Sequence, residues 1–270
     1  MPYSAETRWK AAEVSHREYR GSHRFRGSGI RPPKIEGLSQ SAWLHRSMET
    51  QAWMSWSSGK DSTFALQVVR RDPEVTVVGL LVTVNAEADR VAMHAVRRSL
   101  LESQAARLGL PLHVVEIPSP CPNDLYEALM REALDAAAGD GVNAIVFGDL
   151  FLEDVREYRE QALDGTGMRA LFPLWSHPTR ELAQDKIDEG VGAILTCVDP
   201  SQLDPAFVGR AFDTDLLNDL PDTVDPCGER GEFHTFVWDG PGFSAPIPIR
   251  AGEVVIRDGF VFCDLLPTDE

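Results

Sequence analysis

The feature that most constrains this 270-residue chain is an alternation of short apolar runs with helical patterns between residues 51 and 163. Val75–Val84 is almost continuously apolar, as expected of a strand buried on both faces of a parallel sheet. Parallel strands need crossover connections, so strands that alternate with helices of this length predict βαβ units. We expect strands at 52–56, 75–84, 112–117 and 143–147, and helices at 61–71, 91–108, 123–138 and 153–163.

The chain after about residue 172 is less regular. A helix is expected from Ser176 to Gly190, a strand over 191–198, and a hairpin over 253–265 with Asp258-Gly259 as its turn. We therefore predict an α/β fold, in which a parallel-sheet, Rossmann-like domain is followed by a smaller α+β lobe.

Residues 1–47 have a different character. They are rich in arginine, contain a Gly/Pro-rich stretch from Gly27 to Pro33, and show no sustained period of 3.6 or 2. We predict a basic flexible extension, with a nucleic-acid arm or a targeting peptide as alternatives. Met48 stands just before the first strand and offers an alternative start, so the extension receives no function.

Charge and composition exclude several function classes. Residues 1–46 carry nine basic and four acidic side chains, while the rest of the chain has a net charge of −21, which disfavours extensive nucleic-acid binding. The longest uncharged apolar run has twelve residues, fewer than the roughly 20 of a membrane span. The four cysteines form no CxxC pair, which favours reduced thiols in a cytoplasmic protein.

The turn Ser57–Ser62 lies between the first predicted strand and the first helix. A helix N-terminus at the carboxyl edge of a parallel sheet offers free N–H groups and the positive end of a dipole to an anion. Gly59 lets the backbone curl around an oxyanion, Lys60 adds a positive charge, and Asp61 is placed to help hold a magnesium ion. Hydroxyl donors come from Ser57, Ser58 and Ser62. An ordinary turn with a helix cap would explain only one of these residues.

This turn is not a Walker A loop, because Met54 stands where that motif needs a glycine. It resembles the PP-loop of the N-type ATP pyrophosphatases, whose usual form is SGGxDS, with Ser58 in place of the middle glycine. The resemblance implies that the loop holds ATP so that the α-phosphate is open to attack. A carboxylate or amide oxygen then becomes an adenylate, pyrophosphate leaves, and a nitrogen or sulfur nucleophile displaces AMP.

Two further segments narrow the family. Gly148-Asp149 follows another parallel strand and hence lies at the same edge of the sheet. Asp149 is expected either to approach the nucleotide or its metal, or to serve as an ordinary helix cap or turn residue. The segment 225–236 reads DPCGERGEFHTF, and its Glu232 and His234 are spaced to share one strand face that Phe236 and Trp238 continue. Together with the PP-loop, these motifs resemble diphthine–ammonia ligase and its bacterial relatives, the adenine nucleotide α-hydrolase-like proteins, over about residues 50–265.

The resemblance implies a PP-loop ATP-binding domain over residues 48–168 and an acceptor-binding lobe over residues 169–270. It also implies an ATP-dependent amide ligase that uses ATP, Mg²⁺ and ammonia or another nitrogen donor. The acceptor is a carboxylate: diphthine on elongation factor 2 in organisms that make it, and another compound in bacteria, with whose branch we associate Ser58 and His234. The expected catalytic residues are Lys60, Glu229, Glu232 and His234.

The sequence leaves other readings open. A tRNA- or small-molecule-modifying PP-loop enzyme and a non-catalytic nucleotide-binding module share the same fold. The acidic body argues against the tRNA enzyme. The acidic second motif favours chemistry over mere binding, since a sensor needs no acceptor site. As a further hypothesis, its carboxylates with Phe236 and Trp238 suit a quaternary ammonium group.

Overall fold

The structure is a computed structural model that describes residues 49–91 and 95–268. The predicted extension over residues 1–47 lies outside these ranges. Among the described helices, none combines the length and the apolar composition that crossing a membrane requires.

The first half of the chain forms the predicted sheet of strands linked by helices. Five of its six strands are parallel, and the short β3 is antiparallel to β2. The elements are β1 (Thr50–Ser55), α1 (Lys60–Val69), β2 (Val75–Asn85), β3 (Arg90–Val91), α2 (Arg98–Leu108), β4 (Leu112–Ile117), α3 (Asn123–Gly139), β5 (Ala144–Val146), α4 (Glu153–Ala162) and β6 (Arg169–Leu171).

The parallel strands lie in the order β4-β2-β1-β5-β6. The order reverses between β1 and β5, because the chain first adds strands on one side of β1 and then on the other. Such a switch point opens a crevice at the carboxyl ends of the two strands, where open α/β sheets bind ligands. Both the Ser57–Ser62 turn and Gly148-Asp149 follow these strands, so the topology brings the two motifs to one place.

One predicted helix is shorter than expected. The spacing of Val91 and Ala95 predicted a helix over 91–108, and this was wrong in its first part. Val91 is buried because it pairs with Val84 of β2. Ala95 has a left-handed φ of 54°, and Arg97 is extended, with ψ 140°. Neither conformation belongs to a right-handed helix, so α2 begins only after them.

The second half forms the predicted smaller α+β lobe around an antiparallel sheet of strand order β8-β7-β10-β9. Its elements are α5 (Thr179–Asp188), β7 (Gly192–Val198), α6 (Thr214–Asp219), β8 (Phe233–Asp239), β9 (Ile249–Arg257) and β10 (Phe260–Pro267). The strand β6 lies just beyond residue 168, where the sequence placed the end of the first domain, and pairs with β5 in the parallel sheet.

The two sheets share a hydrophobic core that includes Phe64 and Leu66 of α1 and Phe236 of β8. A buried polar link crosses between them as well. The Gln104 side-chain amide donates to the carbonyls of Ser58 (3.0 Å) and Val237 (2.7 Å). The second lobe is therefore packed directly against the start of α1, so it can contribute side chains to the crevice.

Candidate functional site

The Ser57–Ser62 turn opens α1 at the end of β1. The first hydrogen bond of the helical turn joins the Thr63 N–H to the Gly59 carbonyl at 3.1 Å, so the preceding amides have no acceptor within the helix. The Lys60 amide donates to Thr235 Oγ1 of β8 at 3.1 Å. The amides of Asp61 and Ser62 are the two that the first turn offers to an anion. The hydroxyls of Ser57 and Ser62 lie 3.0 Å apart beside them.

Ser58 occupies the position at which the SGGxDS pattern has its middle glycine. Its φ is 68°, in the left-handed region that glycine adopts readily and other residues rarely do. The side chain is fully buried, and its Oγ has no hydrogen-bond partner in the described part of the chain. The backbone thus keeps the turn that the glycine pattern predicts, although the residue is serine.

Gly148 brings the end of β5 against the first turn of α1. A Cβ on Gly148 would lie 3.0 Å from the Ser62 amide nitrogen and 3.1 Å from the Asp61 carbonyl carbon. Both atoms belong to the backbone and cannot rotate aside. Only glycine lets the two strand-end motifs approach this closely.

We predict that Gly148→Ala weakens ATP binding by tenfold or more, because the new methyl group displaces the amides of Asp61 and Ser62. Overpacking of this kind costs about 1–3 kcal/mol of stability as well. Calorimetric titration with ATP measures the affinity. Gly139→Ala at the end of α3 is the matched control, since its Cβ would meet nothing within 4 Å. Equal affinities of both variants would contradict the prediction.

Lys60 and Lys186 both bind the Asp61 carboxylate. Lys60 Nζ lies 2.9 Å from Asp61 Oδ2, and Lys186 Nζ of α5 lies 2.7 Å from Oδ1. Lys60 also donates to the Cys227 carbonyl, and Lys186 Nζ lies 3.1 Å from Cys227 Sγ. The exposed fractions of the two lysines are 2% and 0%. This network joins the PP-loop to α5 and to the 225–236 segment of the second lobe.

The charges of the network hold each other in the ionised form. Burial would raise the pKa of Asp61, but the ammonium groups of Lys186 and Lys60 outweigh it and lower that pKa to about 2. Burial would lower the pKa of Lys186, but the Asp61 carboxylate raises it above its usual value. Burial raises the pKa of Cys227 to about 11, so this thiol stays protonated and is a poor nucleophile.

The position of Lys60 differs from the sequence expectation of a lysine that meets a phosphate. Its ammonium lies 5.0 Å from the ring centre of Phe233 and 5.5 Å from that of Phe212, within the Asp61 network. A phosphate-binding role for Lys60 stays a prediction. Lys186, which the sequence analysis did not single out, shares this site. The signal was present, because Lys60 and Lys186 are the only lysines after residue 34.

Asp61 does not fit the predicted role of a magnesium ligand. Both of its carboxylate oxygens are paired with ammonium groups, which a divalent cation would have to displace. In residues 49–91 and 95–268, no group of three or more His, Cys, Asp or Glu side chains is arranged to hold a metal ion. No step of the chemistry below is therefore assigned to a metal bound by these residues.

Glu229 and Asp149 lie at the end of β5, beside the PP-loop. The Leu150 N–H donates to Glu229 Oε1 at 2.8 Å, which fixes the carboxyl group at the strand end. Burial is the largest cause that raises the pKa of Glu229 to about 8, and the negative charges of Asp61 and Asp149 add to it. Asp149 is partly exposed and lies 3.6 Å from the Arg159 guanidinium. A carboxyl group with this pKa is poised to exchange a proton near neutral pH.

Glu232 and His234 were predicted to be catalytic together with Glu229, and for both of them that role stays a prediction. Glu232 is 1% exposed, and its carboxylate accepts the amide N–H groups of Asp225 and Arg230 at 2.9 Å each. It therefore closes the loop that carries Glu229, which is a positioning role. His234 is partly exposed on β8, and the Thr196 hydroxyl donates to its carbonyl at 3.4 Å.

The two aromatic side chains predicted to share a face of β8, Phe236 and Trp238, differ in their exposure to solvent. Phe236 is fully buried in the core. Trp238 is half-buried against Gly192 and lines a groove of about 400 Å³, whose wall also includes Ile194 and Ile247. That groove contains no carboxylate among its lining residues. The structure therefore separates Trp238 from the acidic side chains with which the quaternary-ammonium hypothesis grouped it.

Two arginines of α4 were missed by the sequence analysis. Arg156 lies 4.9 Å from the ring centre of Phe172 and 4.8 Å from that of Trp175. Arg159 lies over Phe147 at 5.2 Å, next to Asp149. They bring guanidinium groups, which suit phosphate and carboxylate oxygens, to the rim of the crevice. In the sequence they stand within a strongly charged helix that resembles any solvated surface helix.

These features define a PP-loop nucleotide-binding protein. The PP-loop and the end of β5 lie at the switch-point crevice of the parallel sheet, and the second lobe packs against this edge. Two family models match this chain: the diphthamide synthase N-terminal domain over residues 50–170 and the diphthamide synthase C-terminal domain over residues 178–265. The chain belongs to the diphthamide synthase family.

Curated relatives agree with this assignment. The chain is 27% identical over 226 residues to the diphthine–ammonia ligase of Danio rerio, covering 76% of this chain and 89% of the relative. It is 24% identical over 227 residues to the diphthine–ammonia ligase of Homo sapiens, covering 76% of this chain and 85% of the relative. The resemblance inferred from the PP-loop and the 225–236 segment is thereby confirmed at the level of the family.

Proposed function

We propose that this protein is an ATP-dependent ligase of the diphthine–ammonia ligase type, which converts a carboxylate into an amide with release of AMP and pyrophosphate. In this proposal residues 48–168 bind ATP and residues 169–270 bind the acceptor. The observation that carries the proposal is the close approach of three motifs. Gly148 touches the backbone of Asp61 and Ser62, and Glu229 of the second lobe is hydrogen-bonded at the same strand end.

The first step is activation of the acceptor. One carboxylate oxygen of the acceptor attacks the α-phosphorus of ATP, the bond from that phosphorus to the β-phosphate bridging oxygen breaks, and pyrophosphate leaves. The amides of Asp61 and Ser62 and the hydroxyls of Ser57 and Ser62 are placed to stabilise the departing negative charge. The α1 dipole acts in the same direction. The buried Asp61–lysine network holds the first turn of α1 in place while charge moves.

The second step forms the amide. Ammonia attacks the acyl carbon of the adenylate, the carbon–oxygen bond to AMP breaks, and the attacking nitrogen must lose one proton. Glu229 is our candidate base for this proton, since its raised pKa allows it to accept a proton near neutral pH and release it again. A carboxylate with an ordinary pKa would be a weaker base in the same position.

The relatives, which are diphthine–ammonia ligases, support a carboxylate as the acceptor. Diphthine on elongation factor 2 is the acceptor in organisms that make it, and another carboxylate takes its place elsewhere. Ammonia or another nitrogen donor completes the reaction. The arginines of α4 lie beside Asp149 at the rim, where a carboxylate-bearing acceptor would enter.

An oxygen-transfer experiment tests the proposal. The full-length protein is incubated with Mg-ATP, an ammonium salt and either diphthine-bearing elongation factor 2 or a panel of carboxylic acids labelled with ¹⁸O in the carboxyl group. We expect one labelled oxygen in AMP for each amide formed, with equal amounts of AMP and pyrophosphate. ADP with phosphate would contradict the adenylate step. ATP binding without turnover on any acceptor would favour a nucleotide-binding module instead.

A further inference from the structure

The strand β9 is an open edge of the second sheet among the described strands, since β10 pairs with it on one side only. Three consecutive apolar residues near its end are exposed: Val254 at 58%, Val255 at 41% and Ile256 at 79%. Successive residues of a strand point to opposite faces, so both faces of this edge are apolar. The unpaired backbone edge together with these side chains is a template for another strand.

The apolar row of β9 continues a row that is buried in the neighbouring strand. Val254 pairs with Cys263, and Ile256 pairs with Val261. Both β10 residues are 4–5% exposed, whereas their β9 partners on the same face are open. The side chains of β9 therefore continue the apolar face of β10, but in β9 this face is exposed to solvent. One more strand beside β9 would extend the layer.

The charge pattern of β9 identifies the strand that fits. The order Glu253, Val254, Val255, Ile256, Arg257 places an exposed acid at one end of the apolar run and an exposed base at the other. We propose that β9 pairs antiparallel with β9 of a second copy of this chain, about a two-fold axis at Val255. Each Glu253 then faces the Arg257 of the other copy, and each Val254 faces the other Ile256.

This register is favoured over the alternatives by cross-strand electrostatics. A parallel pairing would place Glu253 against Glu253 and Arg257 against Arg257, and like charges directly opposite each other are destabilising. A shift of the antiparallel register by one residue in one direction would place Glu253 opposite Ile256 and Arg257 opposite Gly252. A shift in the other direction would place Arg257 opposite Val254 and Glu253 opposite Asp258, which is a like charge. A two-fold axis makes each favourable pair occur twice. The result is one continuous eight-stranded sheet across the two copies.

Charge reversal tests the proposal through sedimentation of the full-length protein. We expect the unmodified protein to be a dimer. Glu253→Lys and Arg257→Glu should each raise the dissociation constant of the dimer by about tenfold, because each change places two like-charged pairs in the interface. A mixture of the two single variants should form a mixed dimer with both charge pairs restored. All of these side chains are exposed, so folding is not at risk.

A cross-link tests the register. Val255→Cys places two thiols opposite each other, with a Cα separation of about 4.5–5.5 Å that a disulfide spans. Glu253→Cys is the matched control, because two residues 253 lie far apart in this register. We expect oxidation to join Val255→Cys chains and leave the control and the unmodified protein largely unjoined. A monomeric protein at every concentration, no recovery in the mixture, or equal cross-linking of both cysteine variants would overturn the proposal.

Discussion

Replacing Lys186 by methionine is expected to lower the free energy of unfolding by about 3–5 kcal/mol, the loss typical of removing one partner from a buried ion pair. The Lys186 side chain is fully buried, and its ammonium is 2.7 Å from the Asp61 carboxylate. Methionine fills a similar volume but leaves Oδ1 of Asp61 without its cation. Urea unfolding at neutral pH measures the change. Arg180→Met, on the same helix but exposed, should change stability by less than about 0.5 kcal/mol.

The double variant Lys186→Met with Asp61→Asn separates the ion pair from the packing. If the pair itself matters, the double variant will be less destabilised than the sum of the two single variants, since each single variant leaves one member of the Lys186–Asp61 pair charged beside a neutral partner and the double variant removes both charges. Strict additivity would contradict a direct interaction. The test also addresses the PP-loop, because an Asp61 that has lost one of its two cations can shift the amide groups that we assign to the nucleotide.

The acid side of the stability profile offers a second measurement on the same network. The folded-state pKa of Asp61 is about 2, below its ordinary value of 3.8. The stability that this ion cluster supplies is therefore present above pH 3.8 and is lost as the pH falls towards 2. In Lys186→Met the pKa of Asp61 should rise, so the loss attributable to Asp61 should become smaller.

Much of this fold could be predicted from local patterns. Continuous apolar strands that alternate with helices have few alternatives to a parallel sheet, and the switch point then brings residues 57–62 and 148–149 together. The limits of such patterns appear at Val91, where helical spacing and burial in a short strand produce the same sequence. Hydrophobic periodicity indicates that a residue is buried, but it does not indicate whether that residue lies in a helix or in a strand.

The site was less predictable, because its residues meet only after the two lobes have packed. Lys186 reaches Asp61 from a helix of the second lobe, and nothing local in α5 indicates that contact. Glu232 was expected on an open strand face, but it precedes β8, where the turn folds its carboxylate onto the Asp225 and Arg230 amides. The acidic motif in the sequence indicated that carboxylates belong to the site, but it did not indicate which of them lies beside the PP-loop.

Glu229→Gln is expected to lower the rate of amide formation by about 10²–10⁴-fold, the usual contribution of a general base. Glutamine retains the acceptor oxygen for the Leu150 N–H but cannot take up a proton. Activation of the carboxylate does not need this base in our proposal, so carboxylate-dependent exchange of pyrophosphate into ATP should persist. Loss of both reactions together would contradict the assignment. Glu132→Gln, exposed on α3, is the matched control.

The proposed role of Glu229 as a base also predicts how the rate of amide formation changes with pH. The base must be ionised, so the rate of amide formation should rise with pH to a plateau, with a midpoint near the Glu229 pKa of about 8. Hydroxylamine as the nitrogen donor keeps the titration of ammonium out of the measurement. Glu229→Asp should retain a sigmoidal profile at reduced rate, whereas the glutamine variant should lose this limb. An unchanged limb in the glutamine variant would assign it to another group.

Stability should change in the opposite direction to activity. The folded-state pKa of Glu229, about 8, lies above its ordinary value of 4.5, so the folded protein holds the proton more tightly than the unfolded chain does. The free energy of unfolding should therefore fall as the pH rises from 4.5 to 8, because ionisation is disfavoured in the folded state. Glu229→Gln removes this fall and should be more stable than the natural protein at pH 8 and above. A gain in alkaline stability together with a loss of turnover is expected of a carboxylate whose unfavourable burial serves catalysis. If Glu229 were merely structural, Glu229→Gln would lower both the alkaline stability and the turnover.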